Sequence, residues 1–326
     1  MTFAFTRRAA MAAAVSAALI APMAAQAQTK LTFAHVYETS EPYHAWALWA
    51  AEQLAERTDG RLTMEVFPAS ALGKESDINE GLGLGTVDII YTGQLFAGRA
   101  YGPLAIGGSP FMFRDFDHWK TFRESDLFAE LSQGYQDATG NEVVSLTYYG
   151  LRHVTSKRPI LTPEDMRGLK IRVPDAPLYR MFPEAVGANP TPIAFAEVYL
   201  ALQQGVVDAQ ENPLPTIEAK KFYEPNPHIN LTGHITDALL TIIGGPAKAK
   251  MSAEDLEILR EILREAAERC TDDIVAAEAA LVERFRSMGV EVHEVDRGPF
   301  REATVEAHNG PAATWSREIY DRLQAL

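Results

Sequence analysis

Residues 168–174 read Gly-Leu-Lys-Ile-Arg-Val-Pro. Apolar and basic side chains alternate from Leu169 to Val173, which predicts a strand, and Pro174 ends its hydrogen-bond ladder. Arg172 therefore lies near the C-terminal end of a strand, on the face opposite to its aliphatic neighbours. Ligands of open α/β sheets collect at strand ends, and a guanidinium matches a carboxylate bidentately. The alternative is an arginine on the solvent-exposed face of a half-buried strand, and the spacing favours neither interpretation.

Strands and helices alternate on both sides of this stretch. Strands are predicted at 30–36, 62–67 and 87–91, separated by a helix that begins near Pro42 and a helix at 74–84. A second alternation begins with the strand described above. This order is typical of mostly parallel sheets covered by helices, so the predicted fold class is α/β. A chain of 326 residues exceeds the usual size of one core, so two lobes are expected.

Three other segments bear on the architecture. A strand predicted at 142–149 is expected to end in a turn at 150–153, and residues 228–243 are predicted to form two strands about a turn at Gly233. Ser252 is followed by acidic residues and caps a helix expected to run to Met288, which is unusually long for a globular domain.

Composition and charge exclude several classes of protein. The net charge of −14 argues against a nucleic-acid partner, which needs a basic surface.

Residues 1–27 combine Arg7 and Arg8 with an Ala-rich apolar run and a cleavage-type tripeptide, which predicts a signal peptide of the general secretory or twin-arginine type. A retained membrane anchor is the weaker interpretation. Cys270 is the single cysteine, so the chain has no internal disulfide, and we expect it to be buried.

The sequence carries no recognisable motif for enzyme chemistry or for a cofactor. The eight histidines show no metal-ligand spacing, and the sequence has no Gly-x-Ser-x-Gly elbow and no phosphate-binding loop. The run Gly-Leu-Gly-Leu-Gly at 81–85 closes a helix, whereas a dinucleotide fingerprint must open one. We therefore expect a binding protein with no cofactor and no catalytic residue, and enzyme remains the minority interpretation.

Several blocks together resemble the DctP-type solute-binding subunit of TRAP (tripartite ATP-independent periplasmic) transporters. The resemblance is densest from about 145 to 240, and its blocks are Gly150-Leu-Arg152, Leu169-Lys-Ile-Arg-Val-Pro174, Gly187-Ala-Asn-Pro-Thr-Pro-Ile-Ala-Phe195, Glu197-Val-Tyr-Leu-Ala-Leu-Gln-Gln-Gly-Val-Val-Asp208 and Gln210-Glu-Asn-Pro213.

The resemblance implies a two-lobed "Venus flytrap" that closes on an organic acid in the periplasm. It implies that a long C-terminal helix bridges the lobes. Lobe I would comprise 28–149 plus about 238–277, and lobe II 150–237 plus about 278–326. The partners implied are a small and a large integral membrane permease subunit, without an ATPase.

The resemblance also assigns residues to the ligand site. Arg172 would clamp the ligand carboxylate, Arg152 would support it, and Asn212 would hydrogen-bond the ligand. Phe195 would line the pocket, with plain core packing as the alternative. His35 would provide a polar contact from the first lobe, or be a histidine satisfied at a strand end.

Further candidates for the pocket are polar side chains that suit hydroxyl groups. They are His35, Glu38, Glu75, Gln94 and His153. Glu211 is predicted to orient one of the arginines, with an ordinary strand-end carboxylate as the alternative. A glutamate near the site would repel a second carboxylate, which favours a sugar acid such as a hexuronate or an aldonate. A C4-dicarboxylate or sialic acid in the same role, and a ligand-binding module for a sensor kinase, are the alternatives.

Overall fold

The computed structural model describes residues 28–326, so the predicted signal peptide lies outside the described residues. Within that range the chain forms one mixed sheet covered by helices, which confirms the α/β class. Among the described helices, none combines the length and the apolar character needed to cross a bilayer.

The strands of the sheet, all within residues 28–326, have the following bounds: β1 (Thr29–Ala34), β2 (Leu62–Phe67), β3 (Ile89–Gly93), β4 (Glu142–Ser156), β5 (Lys170–Val173), β6 (Asn189–Pro192), β7 (Ala209–Pro213), β8 (His228–Ile243) and β9 (Glu291–His293). The α-helices of the same part of the chain are α1 (Pro42–Arg57), α2 (Glu75–Leu84), α3 (Gln94–Ala97), α4 (Phe116–Arg123), α5 (Asp126–Thr139), α6 (Met181–Ala185), α7 (Val198–Gln203), α8 (Leu214–Ala219), α9 (Gly245–Lys248), α10 (Ala253–Ser287), α11 (Arg297–Val305) and α12 (Arg317–Gln324).

The sheet has two parallel ends joined by two long antiparallel strands. Its order is β2-β1-β3-β8-β4-β7-β5-β6, with β9 added to β8. The pairs β1–β2, β1–β3, β5–β6 and β5–β7 are parallel, as the strand–helix alternation predicts. Strands β4 and β8 pair antiparallel along most of their length, so they run through both halves of the molecule.

The predicted turns at 150–153 and at Gly233 are wrong, because both strands continue through them. At Gly150 the backbone has φ +121°, and the register between β4 and β8 shifts there. At Gly233 φ is +49°. A glycine with positive φ accommodates a bend or a bulge without ending the strand. Each glycine thus marks an irregularity in a long strand.

The helix predicted from Ser252 is confirmed as α10. The Ser252 side chain accepts a hydrogen bond from the backbone N–H of Asp255, and the helix extends over 35 residues. Its first part buries Leu263 and Cys270 against the core of the first half, and its last part buries Phe285 in the core of the second half. Helix α10 therefore bridges the two lobes.

Buried apolar residues form one large cluster and two smaller ones. The large cluster joins the sheet around β1 and β3 to α1, α4, α5 and the first part of α10. The smaller clusters lie beside α7 and α8, and between β5, α6 and α11. Near the C-terminus, Trp315 and Leu323 join the large cluster, and Arg322 pairs with Glu130 of α5 at 2.7 Å. The lobe boundaries remain a prediction. The predicted boundaries assign α12 to lobe II, whereas this packing favours its assignment to lobe I.

Candidate functional site

A cavity lies where elements of the two halves face each other. From the first half, Tyr37 follows β1 and Glu75 begins α2. The opposite wall comes from the second half. It is formed by Arg172 on β5, by Asn212 on β7, and by Phe195, which precedes α7. A cleft between two halves, at the ends of parallel strands, is the usual location of a small-molecule site in α/β proteins.

Arg172 is buried in the wall of this cavity, with 1% of its surface exposed. Its Nε donates to the carbonyl oxygen of Ile193 at 2.9 Å, while Nη1 has no hydrogen-bond partner within residues 28–326. Burial lowers the pKa of Arg172 to about 10, so the side chain still carries its charge at neutral pH. A buried cation with an unsatisfied donor is poised to bind an anion, because an unpaired donor or charge costs free energy. The alternative interpretation, an arginine on a solvent-exposed strand face, is therefore wrong.

Arg152 also lines the cavity, but its charge is already matched. Strand β4 lies between β7 and β8 in the sheet, and each neighbour supplies a carboxylate. Nη1 donates to Asp237 Oδ2 at 2.8 Å, and Nη2 and Nε donate to the two carboxylate oxygens of Glu211. The aromatic rings of Tyr149 and Tyr179 lie within 5.8 Å and 5.3 Å of the guanidinium carbon. Arg152 is thus held in place on all sides.

The pKa values of this group follow from its pairing. Burial alone would raise the pKa of Glu211, but the adjacent Arg152 and a hydrogen bond from His234 bring it down to about 2. Burial likewise opposes the charge on Arg152, and Glu211 and Asp237 outweigh that effect and raise its pKa. The contact predicted between Glu211 and an arginine is present, and the arginine is Arg152.

Asn212 joins the same network. Its Oδ1 accepts from Arg152 Nη2 and from the Tyr149 hydroxyl, each at 3.3 Å, and its Nδ2 donates to Gln210 Oε1 at 2.6 Å. The amide is therefore oriented by protein groups on both ends, and it lines the cavity.

Glu75 lines the cavity from the first half. One carboxylate oxygen accepts from the backbone N–H of Gly93 at 2.8 Å and from the Thr92 hydroxyl at 2.9 Å. Burial raises the pKa of Glu75 to about 7, against the opposing effect of these hydrogen bonds. At neutral pH the carboxyl group is therefore partly protonated, and it can accept or donate a hydrogen bond.

Aromatic side chains line more of the cavity than the sequence indicated. Phe195 packs against Tyr37, with ring centroids 6.2 Å apart, and Tyr149, Tyr179 and Phe96 complete the aromatic lining. The sequence pattern gives a weak indication for two of these residues. Tyr37 directly follows a predicted strand, and Tyr149 ends another. Asp237 was missed because it lies in the middle of a long strand rather than at an end.

Four of the predicted contacts lie outside the cavity wall. Glu38 pairs with Lys220 at 2.6 Å, and His153 Nδ1 accepts from the backbone N–H of Gly233 at 3.0 Å. Gln94 is buried against Gly107, and neither atom of its amide has a partner among the described residues.

His35 is the fourth of these residues. It lies 3.2 Å from His44, measured from Nε2 to Nδ1, and burial lowers its pKa to about 3. It stacks behind Tyr37, with ring centroids 6.0 Å apart, so it supports a lining residue rather than forming the wall.

Comparison with known proteins identifies the family. The model of the bacterial extracellular solute-binding protein family 7, DctP, matches residues 33–313. A solute-binding protein of Roseobacter denitrificans is 33% identical over 324 residues, which cover 99% of this chain and 98% of the relative. Its crystal structure, with bound L-galactonate, has a TM-score of 0.85 and covers 91% of this chain and 98% of that chain.

Two further matches agree with this assignment. The sialic acid-binding periplasmic protein SiaP of Vibrio cholerae is 34% identical over 284 residues, covering 85% of this chain and 86% of the relative. A TRAP periplasmic solute-binding protein from Polaromonas, crystallised with D-erythronate, is 30% identical, with a TM-score of 0.87 and coverage of 92% and 99%. The chain therefore belongs to the DctP family of bacterial extracellular solute-binding proteins, which are the binding subunits of TRAP transporters and not enzymes.

Proposed function

We propose that this protein binds a sugar acid that carries one carboxylate, such as a hexuronate or an aldonate. The observation that supports the proposal is the buried guanidinium of Arg172, whose Nη1 has no partner within the described range and which lines the cavity. A ligand carboxylate would satisfy this donor and neutralise the charge, and charge-assisted bonds of this kind are about twice as strong as neutral ones.

The charges around the cavity favour a single carboxylate. Arg152 is matched by Glu211 and Asp237, so it offers no further net charge to a ligand. The partly protonated Glu75 suits a hydroxyl group, which can both donate and accept. An acid with several hydroxyls therefore fits this wall better than an acid with two carboxylates.

A C4-dicarboxylate or a sialic acid in the same role are the alternatives. A dicarboxylate would need a second cation, and Lys74, which lines the cavity and is exposed, is the candidate for it. The sialic acid alternative is favoured by SiaP, a relative named for that ligand. The relatives give no support to a ligand-binding module for a sensor kinase.

The location of the protein and its partners are proposed from its membership of the family. The family works in the periplasm, and we propose that residues 1–27 direct export and are then removed. The loaded protein would deliver its ligand to a small and a large membrane permease subunit. Closure of the two halves about the cavity would be a hinge motion.

A thermal-shift screen of the purified protein tests the ligand class. The library should contain hexuronates, aldonates such as L-galactonate and D-erythronate, sialic acid and succinate. A ligand present at one hundred times its dissociation constant stabilises the folded state by about 2.7 kcal/mol, so a true ligand is readily seen. We expect the largest shift from a hexuronate or an aldonate, and a larger shift from succinate or sialic acid would overturn the proposed class.

A further inference from the structure

Strand β9 adds to the outer edge of β8 in the second half, away from the cavity. The two strands are parallel, with His228 opposite Glu291 and Asn230 opposite His293. Residues two apart on a strand point to the same face of a sheet, so Glu291 and His293 share a face. The side chains of His228, Glu291 and His293 meet there.

The three donor atoms of this triad lie close together. His228 Nδ1 is 3.0 Å from His293 Nε2 and 3.5 Å from Glu291 Oε2, and His293 Nε2 is 3.9 Å from Glu291 Oε2. The two rings stack with centroids 5.2 Å apart, and both histidines are mostly buried. Glu291 is 61% exposed, so the site opens to solvent on the carboxylate side.

These separations match the spacing of ligands around a tetrahedral ion. Zinc binds histidine nitrogen at about 2.0–2.1 Å, so two tetrahedral ligands lie about 3.3 Å apart. The three separations in the triad bracket that value. Two imidazoles and a carboxylate are also a ligand set that Zn²⁺ accepts.

We propose that His228, Glu291 and His293 form a site for Zn²⁺ or a similar divalent transition-metal ion, with its open position facing solvent. The alternative is a plain hydrogen bond between the two imidazoles, in which one ring donates and the other accepts. In that alternative the Glu291 carboxylate, 3.5 Å from His228 Nδ1, would only pair with that imidazole. The sequence predicted no metal site, because the two histidines are 65 positions apart and form no local motif.

An ion at this position would fasten β9 to β8. Strand β9 connects the end of α10 to α11, and it has only three residues and a single partner strand. The site would therefore be structural. It would stabilise the edge of the second half and leave ligand binding at the distant cavity unchanged.

Isothermal titration of the tag-free protein with ZnCl₂ tests the proposal. We expect saturable binding of one equivalent, and a visible absorption band typical of tetrahedral coordination when Co²⁺ is the probe. His293→Gln and Glu291→Gln should each weaken Zn²⁺ binding by about tenfold or more. Glu294→Gln is the matched control, because it removes an exposed carboxylate three residues away that pairs with Arg286 instead.

Folding and metal binding can be separated in this design. Glu291 is exposed, so its variant should keep the metal-free melting temperature of the parent protein. Absence of saturable Zn²⁺ binding, or equal weakening by Glu291→Gln and Glu294→Gln, would overturn the proposal. Unchanged affinity in His293→Gln would place the ion elsewhere.

Discussion

Two arginines line one cavity in opposite electrostatic surroundings. Arg152 contacts two carboxylates, whereas Arg172 contacts the carbonyl oxygen of Ile193 and keeps a donor unpaired among the described residues. An arginine that is already paired with carboxylates in the free protein adds little to the binding free energy of an anionic ligand. An arginine without such a partner adds much more, so Arg172 is expected to dominate the affinity for an acid.

Arg172→Ala should weaken binding of the acid identified by the screen by about 2–5 kcal/mol, because a buried carboxylate would lose its counter-charge. Arg172→Lys should not restore it, since a lysine lacks the planar fork. Isothermal titration calorimetry measures both. The control is Arg180→Ala, which removes an exposed arginine paired with Glu184, and equal affinities of the Arg172 and Arg180 variants would remove Arg172 from the clamp.

Glu211→Gln should destabilise the fold by about 3–5 kcal/mol, because Arg152 would lose one partner of a buried ion pair. The pKa of Glu211 is lowered to about 2 in the folded protein, so its contribution is present above its ordinary value of 4.5. That contribution is lost as the pH falls from 4.5 toward 2. Urea unfolding at pH 7 and pH 3 should show a smaller difference from the parent protein at pH 3, and a constant difference would contradict this assignment.

At the scale of elements, long strands are bent rather than ended by glycine. A Cβ at Gly150 would lie 2.6 Å from Glu278 Oε1 and 2.8 Å from Pro213 Cβ, so the bend in β4 also permits α10 and β7 to approach closely. The local sequence pattern predicts a turn at this glycine, because such a pattern does not show that two partner strands extend past it.

Gly150→Ala should cost about 1–3 kcal/mol of stability or more, from the positive φ and from these contacts. The control is Gly140→Ala at the end of α5, where φ is +76° and a Cβ would meet no described atom within 4 Å. Urea unfolding of both variants compares a glycine that has a positive φ and close contacts with a glycine that has a positive φ alone. Equal losses in the two variants would contradict a contribution from the close approach of α10 and β7.

At the scale of the whole molecule, the two halves also meet behind the cavity. Glu41, at the start of α1, is buried and accepts from the hydroxyl of Thr216 on α8 at 2.7 Å. Burial raises the pKa of Glu41 to about 7, although the hydrogen bond from Thr216 opposes this rise, so the folded state favours the protonated carboxyl group. The stability of the folded protein therefore depends on pH through Glu41.

Glu41→Gln should therefore stabilise the protein relative to the parent more at pH 8 than at pH 5. The folded state holds a proton on Glu41 up to about pH 7, whereas the unfolded state loses it near 4.5, so the contribution of this group falls as the pH rises between those values. The difference should grow by at most about 3 kcal/mol, measured by urea unfolding. Glu52→Gln, on the exposed side of α1, is the control, and a pH-independent difference for Glu41→Gln would contradict the prediction.

The sequence by itself determined the alternation of strands and helices in each half, the cap at Ser252, and the position of Arg172 near a strand end. These features depend on local periodicity and on the chemistry of single residues. Only the tertiary structure decided that Arg152 is neutralised by Glu211 and Asp237, since those partners are 59 and 85 positions away. It also decided which candidates line the cavity, because whether a side chain reaches the wall depends on how elements distant in the sequence pack together.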